Sequence, residues 1–281
     1  MASSGYRSMT PEAVCKSLSS IGYAAVEWTL AHFNPRNKSV SELARLLEWT
    51  HDFGLQASEI VVQQDYVVLD EKSRADRVKL TLECIEAAAE VGVTTLNLFS
   101  GPTPWDSSAP VLGRDVSEGT AWQMVFDALD VIVPLADKKG VDLAMEPVIG
   151  MLAHDYYTTL PILNRYGSQR LGINYDPSAL ALYRNDPPAV VHAFGSLIKH
   201  VHLKDAVGIP SFARPGEFLF PLLGEGIVDW QKVFAALDDI GYGGFLSVEF
   251  ESFNYYRKIL GNDVEQAARI SLEQVRRLMG T

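Results

Sequence analysis

Two histidines and two further ionisable residues stand close together in the second half of the chain. His200 and His202 alternate with apolar residues, and Lys204 and Asp205 end the same segment. Alternate side chains of a β-strand share one face, so the two imidazoles of such a strand point the same way. Because buried ionisable groups need partners, a strand that ends in this way suits a metal site better than an apolar core.

Three further short apolar runs end in a carboxylate, at Glu146, at Asp176 and at Glu249. With His202 they supply three carboxylates and one imidazole and leave room for two more oxygen ligands. Taken singly, each residue is equally consistent with a salt bridge at a strand end, but their joint placement favours one metal site. We expect one divalent ion there, Mn²⁺ first, with Mg²⁺, Co²⁺ or Zn²⁺ as alternatives, because such ions accept oxygen and imidazole ligands.

The elements that would position these residues follow a repeated unit of helix, glycine and short apolar strand. Helices are predicted at residues 10–21, 39–53, 71–91, 119–139, 157–166, 187–194 and 230–240, with a closing helix at 263–279. Strands are predicted at residues 23–28, 55–62, 93–99, 141–147, 171–176, 200–205 and 245–251. The glycine that follows each repeated helix is the residue that a left-handed C-cap prefers.

This alternation predicts a parallel sheet with crossover helices, closed into a (β/α)8 TIM barrel. Seven strands are clear, and the missing one must precede the first helix. Only residues 2–7 are available there, so we expect a short or truncated first strand. Nothing in the chain resembles an interdomain linker, so residues 1–281 are expected to form a single TIM-barrel domain. The active site of such a barrel lies at the carboxyl ends of its strands, where the four candidate ligands fall.

Composition argues against several classes of function. The net charge of −11 disfavours a nucleic-acid-binding surface, which is normally basic. The first residues lack the apolar core of a signal peptide, and no segment has the roughly 18 consecutive apolar residues of a membrane span, so we expect a cytoplasmic protein without membrane contact. Cys15 and Cys84 lie on predicted helices among apolar neighbours and are expected to be reduced.

The candidate ligands lie in recognisable motifs. Glu146 lies in Ala-Met-Glu-Pro, Asp176 in Asn-Tyr-Asp-Pro-Ser, His202 in His-Val-His-Leu-Lys-Asp and Glu249 in Ser-Val-Glu-Phe-Glu. With these motifs, and with Gly-Glu-Gly at residues 224–226, the chain resembles the xylose-isomerase-like TIM-barrel superfamily. The resemblance is to its sugar phosphate isomerase/epimerase branch, which includes ketose 3-epimerases, hydroxypyruvate isomerase and inosose dehydratase.

The resemblance implies a metal-dependent sugar isomerase or epimerase. In that branch Glu, Asp, His and Glu from the last four strands hold the metal, and Glu146, Asp176, His202 and Glu249 match them. The two glutamates would also be the acid and base that transfer a proton next to a carbonyl, through an enediolate that the metal stabilises. The resemblance further implies a small-molecule sugar or keto-polyol substrate and a homo-oligomer, either a dimer or a tetramer.

Two alternatives stay open at this stage. A metal-dependent lyase or dehydratase would expel a leaving group from the same enolate of a keto-inositol or 3-keto-glycoside, and a non-catalytic barrel would only bind sugar. Several epimerases and dehydratases of the branch carry a histidine three residues after the metal-binding aspartate, where this chain has Ala179. His154, which follows the strand predicted at 141–147, is a candidate replacement.

Further residues are candidates for supporting roles. Contacts with substrate are expected from His154, Lys204, Arg214, Trp105 and Trp28. For Trp28 and Trp105 the alternative is packing within the protein, and for Arg214 it is a solvated side chain. For Lys204 a structural ion pair with Asp205 or Glu251 is the alternative. Hydrogen bonds that orient the ligands are expected from Glu27, His200 and Asp205, with plain ion pairs or packing as alternatives.

Overall fold

Seven parallel strands curl into a nearly closed barrel. The computed structural model describes residues 1–209 and 216–280. In chain order its strands are β1 (Ala25–Thr29), β2 (Gln56–Val61), β3 (Thr95–Leu98), β4 (Asp142–Met145), β5 (Leu171–Tyr175), β6 (Ile198–Leu203), β7 (Val207–Gly208), β8 (Phe218–Leu219) and β9 (Leu246–Val248). The short strands β7 and β8 form a separate antiparallel pair, and the others pair in parallel in the order β1-β2-β3-β4-β5-β6-β9. The predicted TIM-barrel fold is therefore confirmed.

The gap between β1 and β9 is bridged by the first two residues of the chain. Ala2 forms a parallel bridge with Glu27, and its N–H donates to the carbonyl of Val248 at 3.2 Å. The N–H of Glu27 donates in turn to the carbonyl of Met1 at 3.0 Å. The expected short first strand thus amounts to a single bridging residue, which accounts for the incomplete ladder.

The helices pack around the outside of the barrel. Those in the described part of the chain are α1 (Pro11–Ile21), α2 (Val40–Asp52), α3 (Glu71–Val91), α4 (Glu118–Lys139), α5 (Tyr156–Tyr166), α6 (Pro177–Leu182), α7 (Pro187–Phe194), α8 (Trp230–Asp239), α9 (Phe253–Lys258) and α10 (Val264–Met279). The side chain of Thr10 caps α1, and the left-handed Gly22 ends it, as the sequence predicts. The helices α6 and α9 were not predicted, because six residues are too few to show a helical period. Along the described residues, no helix is both long and apolar enough to cross a membrane.

Polar side chains occupy the inside of the barrel, whereas apolar side chains fill the layer between strands and helices. Most TIM barrels fill this interior mainly with Val, Ile and Leu. Here five strands contribute six polar residues that are at most 1% exposed, namely Glu27, Glu59, Asn97, Asn174, His200 and His202. Since buried polar groups need partners, this layer must be organised by mutual contacts.

Candidate metal centre

The four predicted ligands converge at the carboxyl end of the barrel. Glu146 follows β4, Asp176 follows β5, His202 lies near the end of β6, and Glu249 follows β9. The first three are 1% exposed, and the side chain of Glu249 is 16% exposed. In the sheet order β4-β5-β6-β9, the two glutamates flank His202 from opposite sides.

Close contacts join three of these side chains directly, and Lys204 links the fourth to them. His202 Nδ1 lies 3.2 Å from Glu146 Oε1 and 3.4 Å from Glu249 Oε2. Asp176 is connected through Lys204, whose Nζ lies 2.9 Å from Asp176 Oδ2 and 2.6 Å from Glu249 Oε2. Ligand atoms of Glu146, His202 and Glu249 all lie within 4.8 Å of one another. A donor set of carboxylate oxygens and one imidazole nitrogen at this spacing fits a divalent ion.

The His202 ring is surrounded by carboxylates. Burial opposes its protonation, but the nearby negative charges, that of Glu146 first, raise the pKa of His202 well above its usual value. A metal ion that binds Nδ1 of His202 must therefore displace a proton from it.

Lys204 neutralises the other half of the cluster. Besides Asp176 and Glu249, its ammonium lies 3.2 Å from Glu251 Oε2. Burial opposes the charge of Lys204, but these three carboxylates raise its pKa well above the usual value. Burial likewise opposes ionisation of Glu249, yet Lys204 and His202 lower the pKa of Glu249 to about 2. Burial dominates at Glu251 and raises its pKa to about 7.

Two amides that the sequence reading missed hold Glu146. Asn97 Nδ2 donates to Glu146 Oε2 at 3.0 Å, and Gln63 Nε2 donates to the same oxygen at 3.3 Å. Asn97 is a polar residue inside the buried strand β3, and Gln63 follows the end of β2. An amide in an apolar strand was the available signal, because it must find a hydrogen-bond partner inside the protein.

A second group of buried residues supports His202 from the opposite side of its ring. His202 Nε2 lies 3.4 Å from both Glu27 Oε1 and Glu59 Oε1, and His200 Nε2 lies 2.8 Å from Glu27 Oε1. Burial opposes the charge of Glu27, but His202 and His200 lower its pKa well below the usual value, whereas burial raises the pKa of Glu59. These contacts fix the ring so that Nδ1 faces Glu146 and Glu249. The sequence reading missed Glu59. Like Asn97, it is a polar residue within an apolar strand, and such a residue needs a buried partner.

Replacing Glu27 by Gln is expected to weaken metal binding about 10- to 100-fold, because the ionised carboxylate orients the ring of His202 and raises its basicity. Competition against a chromogenic chelator measures the affinity, and circular dichroism checks the fold. Glu59→Gln is the matched substitution in the same buried layer. Its effect is expected to be smaller, because burial favours the neutral form of Glu59. Glu90→Gln, at an exposed position on α3, is the control. Equal affinities for wild type and Glu27→Gln would contradict this role.

Asp205 anchors the segment that carries the Gly-Glu-Gly sequence. Its carboxylate is 1% exposed and accepts hydrogen bonds from five donors: the N–H groups of Ala206, Gly224, Gly226 and Val228 and the indole of Trp230. A Cβ on Gly226 would lie 2.0 Å from Asp205 Oδ1, so only glycine permits this approach. Asp205 therefore supports the loop before α8, and within the described part of the chain these hydrogen bonds do not include the ligands that it was expected to orient.

The substitution Asp205→Asn is expected to lower the free energy of unfolding by about 3 kcal/mol, because the new amide N–H₂ would face buried N–H donors and leave them unpaired. Urea denaturation with an unchanged m-value measures the loss. Asp229→Asn is the control nearby, since Asp229 is an exposed residue that caps α8 and tolerates Asn. A loss below about 1 kcal/mol for Asp205→Asn would show that the network contributes little.

A cavity of ≈ 560 Å³ lies above the candidate ligands. Among the predicted substrate contacts, Lys204 and Trp105 line it. Trp28 does not, since it is fully buried and donates from Nε1 to Thr50 Oγ1 at 3.2 Å. Adjacent strand residues point to opposite faces, so an inward Glu27 requires an outward Trp28.

The other two predicted substrate contacts lie elsewhere. The ring of His154 packs against Tyr183 with 4.4 Å between centroids, and its Nδ1 contacts the carbonyl of Met151 at 2.8 Å. It is not among the residues that line the cavity. His154 therefore does not supply the cavity with the imidazole that is missing at Ala179, which does line it. Arg214 lies outside the described residues.

Comparisons with known proteins agree with this architecture. The model of the family described as xylose isomerase-like TIM barrel matches residues 15–278. An inosose dehydratase of Geobacillus thermodenitrificans is 26% identical over 161 residues, which cover 53% of this chain and 52% of that protein. The chain spans about half the length of the inosose dehydratases that it matches.

Two solved structures share the fold over nearly the whole chain. The IolI protein, solved with a bound zinc atom, superposes with a TM-score of 0.77 at 16% identity, covering 100% of this chain and 97% of the other. The 3-keto-D-glucoside 4-epimerase YcjR of E. coli superposes with a TM-score of 0.73 at 18% identity, covering 96% and 95%. At these identities the likeness concerns the fold alone.

Proposed function

The chain belongs to the xylose isomerase-like TIM-barrel family, and we propose on this basis that it is a divalent-metal-dependent enzyme acting on a sugar or keto-polyol. Its reaction is proton transfer next to a carbonyl, which isomerises or epimerises the substrate. The observation that carries the proposal is that Glu146, Asp176 and Glu249 line one cavity, with His202 in contact with both glutamates beneath it. The relatives that are named as dehydratases and epimerases support it.

Glu146, Asp176, His202 and Glu249 would hold the metal. A divalent ion bound there polarises a carbonyl and makes the neighbouring C–H more acidic. The choice of ion, Mn²⁺ before the alternatives, is part of the proposal, and the zinc bound by IolI supports a divalent ion in general.

The two glutamates are proposed to act as acid and base from opposite sides of the substrate. Glu146 comes from β4 and Glu249 from β9, so a sugar bound over His202 presents different faces to them. Asn97 and Gln63 hold Glu146, while Lys204 holds Glu249. Such fixed geometry is what a proton transfer needs, since the carboxylate must already lie within hydrogen-bond reach of the C–H.

Deuterium exchange tests this function. Metal-loaded protein is incubated in D₂O with ketoses, keto-inositols and 3-keto-glycosides, the metal is removed, and NMR and mass spectrometry locate the deuterium. Incorporation at a carbon next to the carbonyl of one class of compound is the expected result. Firm metal binding without exchange in any class would favour a non-catalytic sugar-binding barrel.

Elimination is the second candidate reaction. An enolate that expels a leaving group needs a proton donor for that group, and Glu251 lines the cavity with its pKa raised by burial to about 7. The similarity to inosose dehydratase favours the same reaction. The exchange experiment separates the two reactions. Elimination gives an unsaturated product that has lost a leaving group, whereas epimerisation gives a sugar that differs in mass only by the deuterium it has gained.

We propose a cytoplasmic homo-oligomer, a dimer or tetramer, that forms a single domain over residues 1–281 and binds neither nucleic acid nor membranes. Light scattering of the purified protein measures the assembly.

A further inference from the structure

The cavity above the candidate ligands is polar on its floor. Eight polar residues line it: Arg7, Gln63, Glu146, Asp176, Ser178, Lys204, Glu249 and Glu251. All of them except Arg7 are candidate ligands or belong to the hydrogen-bonded cluster around them. Gln63 donates to Glu146, Ser178 donates to Asp176, and Lys204 joins the acids. The polar groups of the described lining are therefore concentrated where the reacting carbons would lie.

Apart from Arg7, the rest of the described wall is apolar and rich in aromatic rings. Five aromatic residues line it, namely Phe99, Trp105, Phe218, Phe220 and Phe253, together with Val148 and Ile149. Phe99 and Trp105 meet edge to face with 6.0 Å between centroids, and Phe218 and Phe220 do so at 5.6 Å. Trp105 is 65% exposed and Phe253 is 47% exposed. Large apolar side chains that face an open cavity mark a surface that a ligand covers.

The backbone just before Trp105 is anchored to a buried carboxylate. Asp65 is 4% exposed, and its Oδ2 accepts a hydrogen bond from the N–H of Thr103 at 2.7 Å. Gly101 allows this approach, because a Cβ there would lie 2.0 Å from Asp65 Oδ1. The loop between β3 and α4 is thus anchored two residues before Trp105, whose indole meets the ring of Phe99 at the cavity.

We propose that the substrate is a keto-sugar glycoside with an aromatic aglycone, an inference that rests on the function proposed above. The sugar ring occupies the polar floor, and the aglycone lies among the aromatic side chains. A second sugar in the outer part would bury less apolar area against these rings than an aromatic group does, because its hydroxyl groups stay hydrated. An aromatic ring there is buried and packs edge to face or in offset stacks. The cavity volume is within the range of pockets that enclose ligands larger than one sugar ring.

Binding of unreactive glycosides tests the inference apart from catalysis. Phenyl β-D-glucoside and methyl β-D-glucoside share the sugar and lack the carbonyl, so isothermal titration on metal-loaded protein measures recognition alone. We expect the phenyl compound to bind at least about tenfold more tightly. Trp105→Ala is expected to reduce this preference to about threefold or less. Tyr157→Ala removes another exposed aromatic residue, 70% exposed and outside the cavity lining, and is expected to leave the preference unchanged.

Deuterium exchange with the corresponding 3-keto-glucosides separates the two proposals. Exchange in both compounds with equal binding of phenyl and methyl glucosides would overturn the aromatic aglycone and leave the proton-transfer function intact. Tighter binding of the phenyl compound without any exchange would count against the proposed function, while the recognition of an aromatic group would stand. Failure of the phenyl glucoside to bind at its highest soluble concentration would overturn the inference.

Discussion

Glu249→Gln is expected to slow deuterium exchange roughly 10²- to 10⁴-fold, the range that general acid or base catalysis contributes. The amide keeps the size of the side chain and its contact with Lys204, but it neither accepts the substrate proton nor supplies an anionic ligand. Glu146→Gln is expected to have an effect of similar size for the same reasons. The rate of exchange into the substrate identified by the panel, measured at saturating metal and substrate, checks both.

Saturating metal is essential in this comparison, because both glutamates are also candidate ligands. At subsaturating metal, loss of a ligand and loss of an acid or base would look alike. Glu225→Gln is the matched control, since Glu225 is an exposed carboxylate outside the cavity lining. If Glu249→Gln and Glu146→Gln both retained wild-type exchange with bound metal, the proton would have to be carried by another group.

Chelation of the metal is expected to abolish exchange and to destabilise the fold. A metal present at a hundred times its dissociation constant stabilises the native state by about 2.7 kcal/mol. Thermal unfolding with and without a chelator measures the change, and readdition of Mn²⁺ should restore both stability and exchange. In Glu249→Gln the chelator should lower the unfolding temperature less, because part of the donor set is missing. Identical shifts in the two proteins would place the metal at other residues.

Metal binding is also expected to depend on pH in a defined direction. Neighbouring carboxylates, that of Glu146 first, raise the pKa of His202 well above its usual value despite burial, so its ring is protonated near neutral pH without metal. A metal ion at Nδ1 then displaces that proton, and its affinity rises as pH rises towards the raised pKa. Titration calorimetry in buffers of different ionisation enthalpy should report about one proton released per ion.

The sequence by itself determined the architecture and the four candidate ligands. Helix caps such as Thr10 and Gly22 and the alternating apolar runs specify a parallel barrel. In a parallel barrel, residues at the carboxyl ends of different strands lie at the same end of the barrel, whatever the conformation of the loops. Glu146, Asp176, His202 and Glu249 were therefore predictable as a group, although a strand pattern carries no distances.

Tertiary structure alone decided the partners of each side chain. The alternation of side chains along a strand shows which face each residue occupies, but it does not show which residue lies across the barrel. For this reason the contacts of Glu59 with His202 and of Asn97 with Glu146 could not be read from the chain. The same alternation turns Trp28 away from the interior that Glu27 occupies, contrary to the prediction that Trp28 contacts the substrate.

Loop residues escaped prediction for a different physical reason. A loop has no repeating geometry, so the sequence does not show that His154 packs against Tyr183 while Trp105 opens onto the cavity. Asp205 likewise carried the signal of a strand-end carboxylate, yet its oxygens are taken by the backbone around Gly224 and Gly226. Which polar groups face the substrate and which hold the chain together is set by long-range packing, because each buried oxygen binds whatever donors the folded chain brings to it.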